Sequence, residues 1–417
     1  MRLVVVGQGY VGLPLAMAAV RAGYDVLGLE ADRERCAKLT QGLSYVEDVP
    51  SGEVRSALDT GYIATSDPAA VGTFDVAVIT VPTPLTDGAP DLSNVRNSAD
   101  ALGEHVRRGC TIVLESTTYP GTTTEVLVPI LEAKSDLRAG PDFHVGYSPE
   151  RIDPGNLTWG LHNTPKVVAG IDEASLNAVV AFYSSIVDEV VPVSSTEVAE
   201  LTKMLENTFR HVNIALVNEL AMFAADLGVD LWEALEAANT KPFGYMRFRP
   251  GPGVGGHCLP VDPSYLSWRV ERQLGLPFRF VELANDINVH MPDYVLRRVV
   301  GNLNRRRLAL NGSRCLVIGV SYKRNTGDAR ESPGPVLCRL LRKAGAEVRV
   351  VDPHVDPRRI PDGVQLVSLN RKELTSSNLV IVVTDHDAID WEMVASAAPA
   401  VLDTCHRLPP LETVEYL

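Results

Sequence analysis

Short apolar runs alternate with longer segments of helical period along most of the chain. The first run, RLVVV, meets the glycine turn GQGYVG. An Ala/Leu/Met-rich segment then continues to Gly23, and a second run, VLGL, stops at Glu30. This order predicts strand, tight turn, helix and strand. Further apolar runs recur in FDVAVITVPTP, CTIVLESTT and HVGYSPE, with helical patterns between them. Such alternation predicts a parallel α/β sheet whose ligand edge lies at the C-terminal ends of its strands.

The pattern changes near Val193. In SSTEVAELTKMLENTFRHVNIALVNELAMFAADLG, capping candidates at Ser194 to Thr196 open a stretch without Pro or Gly that lasts until Gly228, which predicts one long helix. At 3.6 residues per turn, Lys203, Asn207 and His211 share a stripe, with Glu200, Glu206 and Arg210 beside it. Further along, the same sector is occupied by Ile214, Val217 and Ala221. A helix amphipathic at first and apolar all round later fits a spine buried between domains or subunits. From Ser313 the opening pattern returns: RCLVIGVSYKRNTGD, AEVRVVDPH, SNLVIVVTDHD and APAVLDTCH predict strands, and SPGPVLCRLLRKAG a helix with proline near its start. The expected fold is α/β: two doubly wound Rossmann-like domains, 1–192 and 301–417, joined by a long central helix within 193–300. The second lacks a GxGxxG of its own.

Composition narrows the picture. A chain of 417 residues, 45% hydrophobic and 22% charged, predicts a soluble globular protein of more than one domain. No apolar run approaches the ~20 residues of a membrane span, and MRLVVVGQG lacks the length and cleavage site of a signal peptide. The net charge of −13 argues against a nucleic-acid partner, though not against a small anionic ligand. The six cysteines are scattered singly, without CxxC, so neither a metal site nor a disulfide framework is expected, and a reducing, cytoplasmic setting is.

Gly7, Gly9 and Gly12, with Tyr10 and Val11 between them, form a GxGxxG that follows a strand and opens a helix. The first two glycines permit a tight turn and close approach of a pyrophosphate, and the helix N-terminus offers it free N–H groups. Glu30, ending the second strand, can accept both ribose hydroxyls and repel a 2′-phosphate, so the expected cofactor is NAD. Arg35, close by, could tolerate a phosphate and qualifies that preference.

Cys258 sits in GVGGHCLPVDP, behind Gly253, Gly255 and Gly256. A glycine loop is a poor place to bury a hydrophobe, and no partner ligands surround the thiol, which favours a nucleophile over core packing or a metal site. A structural role suits His257 better, since adjacent side chains diverge. Lys203 and Asn207 lie one turn apart and could face one substrate atom; a solvated helix face explains them equally well. Thr118, in ESTTYPGTT, follows a strand end and could orient a water, or simply make a turn. Glu150, in SPER, could be a base or an exposed ion-pair partner. One chemistry unites them: oxidation of a primary alcohol to an aldehyde, thiolate addition, a second oxidation to a thioester, and hydrolysis. It needs a nucleophilic Cys, a cation or amide beside the oxyanion, and groups that handle protons and water, roles open to Asp262, Glu150 and Thr118.

The motifs GQGYVGLPLA, VPTP, ESTTYPGTT, SPER, ELTKMLENTFR, PGPGVGGHCLPVDP and SYKRNTGDARESP, in this order and over nearly the whole chain, resemble those of the nucleotide-sugar 6-dehydrogenase family, which includes UDP-glucose and UDP-N-acetylhexosamine dehydrogenases. The resemblance implies NAD-dependent four-electron oxidation at C6 of a UDP-sugar or TDP-sugar, and a homodimer built around the central helix. Position by position it implies Cys258 as nucleophile, assisted by Lys203, Asn207 and Asp262, with Thr118 and Glu150 handling water. It places Thr83 of VPTP at the cofactor, Arg151 of SPER at the substrate, Arg249, Gly255 and their neighbours in the sugar-nucleotide loop, and Lys323 as a substrate-binding lysine. Two positions depart from the UDP-glucose branch: Pro154 replaces a second glutamate, and Val261 replaces a lysine. KPFGYM and GGHCLPVDP stand nearer the acetamido-sugar branch. A two-electron β-hydroxyacid dehydrogenase, which has no use for Cys258, is the competing enzyme reading; a non-catalytic nucleotide sensor is the other.

Overall fold

The computed structural model describes residues 1–153, 156, 158–256 and 258–417, with the backbone alone at Cys258 and Pro260. It divides into two compact units, Met1–Glu206 with Ser264–Leu276, and Asn207–Pro263 with Pro277–Leu417.

The first unit carries an eight-stranded sheet: β1 (Arg2–Val6), β2 (Asp25–Leu29), β3 (Tyr62–Thr65), β4 (Val76–Ile79), β5 (Thr111–Leu114), β6 (His144–Tyr147), β7 (Lys166–Gly170) and β8 (Val190–Pro192). Their order is β8-β7-β6-β5-β4-β1-β2-β3. β1 is central, with Val4 opposite Leu27 of β2 on one side and Ala77 of β4 on the other. Buried on both faces, its residues Leu3 to Val5 show no exposure, which is why it reads as a continuous apolar run. Six strands are parallel and ordered as in a dinucleotide-binding fold. The expected all-parallel sheet needs one correction: β7 pairs with β6 antiparallel, Gly146 opposite Gly170, and β8 follows β7. The two glycines are required there, because a Cβ on Gly146 would lie 2.3 Å from the Ala169 carbonyl oxygen and one on Gly170 2.1 Å from the Leu176 nitrogen.

The second unit carries six strands, β9 (Arg314–Ile318), β10 (Glu347–Val351), β11 (Gln365–Leu366), β12 (Leu379–Val382), β13 (Val401–Asp403) and β14 (Val414–Tyr416). All are parallel, in the order β11-β10-β9-β12-β13-β14. This is the doubly wound order a second time, as the returning pattern predicts.

The helices that matter for function are α1 (Gly12–Arg21), α2 (Thr196–Leu227), α3 (Cys258–Leu274) and α4 (Arg279–Arg305). α2 is the predicted long helix. Lys203, Asn207 and His211 are buried on it, at 5%, 5% and 1% exposure, so the solvated-face alternative fails. The opposite stripe, Leu201, Leu205, Phe209, Leu216, Leu220 and Phe223, recurs at three-, four- and seven-residue steps and is exposed. No helix among the described residues is long and apolar enough to cross a membrane.

In the second unit β14 is fastened by charge. Glu415 accepts hydrogen bonds from Arg298 Nε (3.1 Å) and Nη2 (2.7 Å) and from Asn302 Nδ2 (2.9 Å) of α4, and pairs with Arg305. Burial resists ionisation of Glu415, but Arg298 and Asn302 outweigh it and hold the carboxyl below its usual range. Glu415→Ala is expected to cost about 2 kcal/mol at pH 7. Because the folded-state pKa is depressed, the difference from wild type is full above the usual value of 4.5 and vanishes as pH falls through the folded value. Urea denaturation of both proteins at neutral and acidic pH measures it.

Candidate functional site

Each site-bearing loop of the first unit leaves the sheet at the C-terminal end of a parallel strand. After β1, the three glycines have separate reasons. Gly7 adopts φ +90°, and a Cβ there would lie 2.8 Å from the Thr80 carbonyl oxygen. Gly12 packs α1 onto the turn; its Cβ would come within 1.9 Å of the Gly7 oxygen. Gly9 has nothing within 4 Å of where a Cβ would stand, so packing does not account for it. Open space in front of a backbone turn at a helix N-terminus is what a bound pyrophosphate requires. Val11 directly precedes α1, and Tyr10 beside it is 36% exposed.

Glu30 stands at the end of β2, 7% exposed, and accepts from the backbone N–H of Gln8 (3.0 Å, Oε2) and of Asp32 (3.0 Å, Oε1). Two N–H bonds leave acceptor capacity on both oxygens for ribose hydroxyls. These residues fit NAD. Arg35 pairs with Asp32 at 3.8 Å and lies 5.3 Å over the Tyr45 ring.

The loops after β4 and β5 are stitched together. Thr83 Oγ1 donates to the Thr117 carbonyl (2.8 Å), and Ser116 Oγ to that of Val81 (2.8 Å). Thr118 is fully buried, and its hydroxyl has no hydrogen-bond partner among the described residues. A buried orphan hydroxyl costs about 1–3 kcal/mol, so a simple turn does not account for it. After β6, Glu150 is 9% exposed and pairs with Lys203 of α2 at 3.3 Å; it is not an exposed ion pair. Arg151 bridges the Pro165 carbonyl (2.6 Å) and Glu206 (2.7 Å).

In the second unit Asn207 of α2 donates to Asp262 Oδ2 of α3 at 2.6 Å, with both residues nearly inaccessible. Cys258 is the first residue of α3; its side chain, together with His257 and Pro154, lies outside the described residues. The glycines before it are not a loose loop. A Cβ on Gly255 would lie 2.7 Å from Tyr322 Cβ, and Gly256, at φ +85°, sits under the Tyr322 ring. Lys323 follows Tyr322 directly, half-buried, and Arg249 is exposed at the start of the same loop.

Sequence reasoning missed the polar groups that hold these segments. Asn218 of α2 accepts from Gly251 N–H (2.9 Å) and donates to Asn288 of α4 (2.9 Å), which contacts His211 (3.4 Å), itself bonded to Asn285 (2.8 Å). In the first unit Glu200 of α2 accepts from Gly121 N–H (2.6 Å), Thr123 N–H (2.9 Å) and Thr123 Oγ1 (2.7 Å), fastening the segment behind Thr118. Lys166 and Glu115 form a buried ion pair. The available signal was polarity where burial was expected: Glu200 beside the Lys203 stripe, and charges at the ends of apolar runs.

Comparison with known proteins identifies the family. Three profiles of the UDP-glucose/GDP-mannose dehydrogenase family match in series: the NAD binding domain over residues 1–187, the central domain over 197–290 and the UDP binding domain over 316–410. A UDP-N-acetyl-D-mannosamine dehydrogenase of Pyrococcus horikoshii is 33% identical over 402 residues, 95% of this chain and 93% of that one. A UDP-N-acetyl-D-glucosamine 6-dehydrogenase of Pseudomonas aeruginosa is 36% identical over 357 residues, 85% and 83% of the two chains. The solved structure of a UDP-D-ManNAc dehydrogenase from Pyrococcus horikoshii superposes with a TM-score of 0.91 at 32% identity, covering 100% and 99% of the chains.

Burial lifts the Glu200 carboxyl to about 7 against the pull of Thr123 and Gly121. With the folded-state value raised, this group's contribution to stability is complete below its ordinary 4.5 and is lost as pH rises through 7, a change of about 3 kcal/mol. Glu200→Gln removes that titration. Melting temperatures measured from pH 5 to 8 are expected to fall more steeply for the wild type than for this variant.

Proposed function

The chain belongs to the UDP-glucose/GDP-mannose dehydrogenase family and is an NAD-dependent nucleotide-sugar dehydrogenase, and from that premise we propose that it oxidises a UDP-N-acetylhexosamine at C6 to the uronic acid. The names of the relatives and Val261 support an acetamido sugar over glucose, and the family's UDP binding domain supports uridine over thymidine. In this proposal the NAD-binding, helical and sugar-nucleotide domains are 1–192, 193–300 and 301–417.

The observation that carries the chemistry is the burial of two polar pairs, Lys203 with Glu150 and Asn207 with Asp262. Cys258 is the nucleophile; it opens α3, and the N-terminal end of a helix favours a thiolate. NAD, held at the glycine turn and Glu30, would supply the hydride acceptor for each of the two oxidations. Between them, the thiolate sulfur adds to the aldehyde carbon, and the resulting oxyanion is met by the Lys203 ammonium and the Asn207 amide. Asp262 orients that amide. Thr118 and Glu150 hold the water whose oxygen attacks the thioester carbonyl. The C–S bond then breaks, the electron pair returns to sulfur, and Glu150 takes the water's proton. Gly7, Gly9, Tyr10, Val11, Gly12, Glu30, Arg35, Thr83 and Thr118 form the cofactor site; Arg151, Arg249, Gly255 and Lys323 join Lys203 and Asn207 around the substrate.

We propose further that the protein is a homodimer closed over the exposed stripe of α2. A regular apolar stripe of that length on one helix is the kind of surface that pairs. Its cytoplasmic setting belongs to the same proposal.

With NAD and UDP-N-acetylmannosamine or UDP-N-acetylglucosamine, two NADH are expected per uronic acid formed. One NADH per substrate, as a hydroxyacid dehydrogenase would give, overturns the proposal. Cys258→Ser is expected to slow the aldehyde-to-acid step by roughly a thousandfold or more, read with the aldehyde as substrate. Light scattering of the double variant Leu205→Glu/Leu216→Glu is expected to report a monomer where the wild type is a dimer.

A further inference from the structure

Because β7 runs antiparallel to β6, its first residue, Lys166, arrives at the sheet edge where the six parallel strands β1 to β6 end. The side chain is 4% exposed. Its ammonium pairs with Glu115, the residue after β5, and donates to the Pro149 carbonyl at 3.1 Å. Glu115 is 1% exposed and accepts a second bond, from Tyr183 OH, at 3.3 Å. The same ammonium lies 5.1 Å from the centre of the Tyr183 ring. Each partner is the root of a site loop: Glu115 stands three residues before Thr118, and Pro149 immediately precedes Glu150.

A buried ion pair adds little net stability against apolar residues of similar volume, so stability alone does not explain this one. What a lysine adds is several donors on one atom, able to bind a carboxylate and a carbonyl at once. No apolar side chain can tie two strand ends together in that way. We propose that Lys166 is a positioning residue for the hydrolytic half of the reaction, fixing the Thr118 loop against Glu150 through one shared ammonium. The inference rests on the reading of Thr118 and Glu150 as the water-handling pair. Its effect is expected at hydrolysis, the step in which water enters.

The test uses the full chain with NAD and a UDP-N-acetylhexosamine that it turns over. In Glu115→Gln/Lys166→Met both charges go together, which avoids leaving one buried alone. The expected result is an NADH burst of wild-type rate, then a steady state slower by roughly ten- to a hundredfold. KM for the sugar should hold within about twofold, and a covalent acyl adduct on Cys258 should accumulate, seen by intact mass. An unchanged steady state overturns the proposal, and so does a burst slowed in proportion, because a merely structural role would slow every step. Where the double variant does not fold, Lys166→Arg, which keeps the charge but moves the donors, is expected to show the same split; its absence is equally decisive. Thr118→Ala and Glu150→Gln are run beside them. If these two slow hydrolysis and the Lys166 variants do not, only the present inference falls. If neither slows it, the water-handling reading falls and this inference with it.

Discussion

Strand order sets everything else in place. In each sheet the chain winds outward from its first strand, then returns to lay the fourth strand on the other side. The loops after those two strands leave toward opposite faces, so no helix covers the gap between them. In the first unit the gap is bridged by Thr80, whose hydroxyl donates to the carbonyls of Val6 (2.9 Å) and Gly7 (2.8 Å). In the second unit the same order brings the corresponding loops together. Gly319 is pressed against Thr384, and Asp352 at the end of β10 is used up by the N–H groups of Val320 (2.8 Å) and Ser321 (3.3 Å) and by His386 (3.2 Å). Topology supplies a crevice, and the loop residues decide whether a ligand can enter it.

The first unit's polar groups are buried at a cost that packing alone would not require. Lys203, Glu150, Glu200, Lys166 and Glu115 are all nearly inaccessible, yet each meets a partner of opposite charge or a set of N–H donors. Such pairs contribute geometry more than stability. Along α2 the second unit uses side-chain amides: Asn207 on Asp262, and the run from His211 through Asn288 and Asn218 to Gly251. Burial pulls His211 below its usual range, in keeping with a neutral ring in that run.

Much of this was legible in the residues. Apolar runs with turn glycines located most strands of both sheets, the length of α2 followed from its lack of Pro and Gly, and the tight turn at Gly7 from the GxGxxG spacing. The direction of β7 was not legible, because a buried strand reads the same way whichever way it points. Nothing in the sequence therefore singled out Lys166. Helical period grouped Lys203 with Asn207 but could not say whether the face met water. For that, the burial of the opposite ends of their hydrogen bonds, Glu150 and Asp262, had to be seen. The glycines before Cys258 suggested looseness where Tyr322 in fact imposes tight contact, since sequence separation hides which ring will lie against them.

Glu30 illustrates how one carboxylate can constrain redesign. It ties Gln8 and Asp32 to each other across the first crossover while presenting its remaining lone pairs outward. Retooling the enzyme for a phosphorylated cofactor by replacing that side chain with a neutral or basic one would therefore change two properties together. Repulsion of the extra phosphate would be relieved, and the glycine turn after β1 would lose its brace. A cofactor swap would need a substitute acceptor for the Gln8 amide before any gain in phosphate binding could be realised.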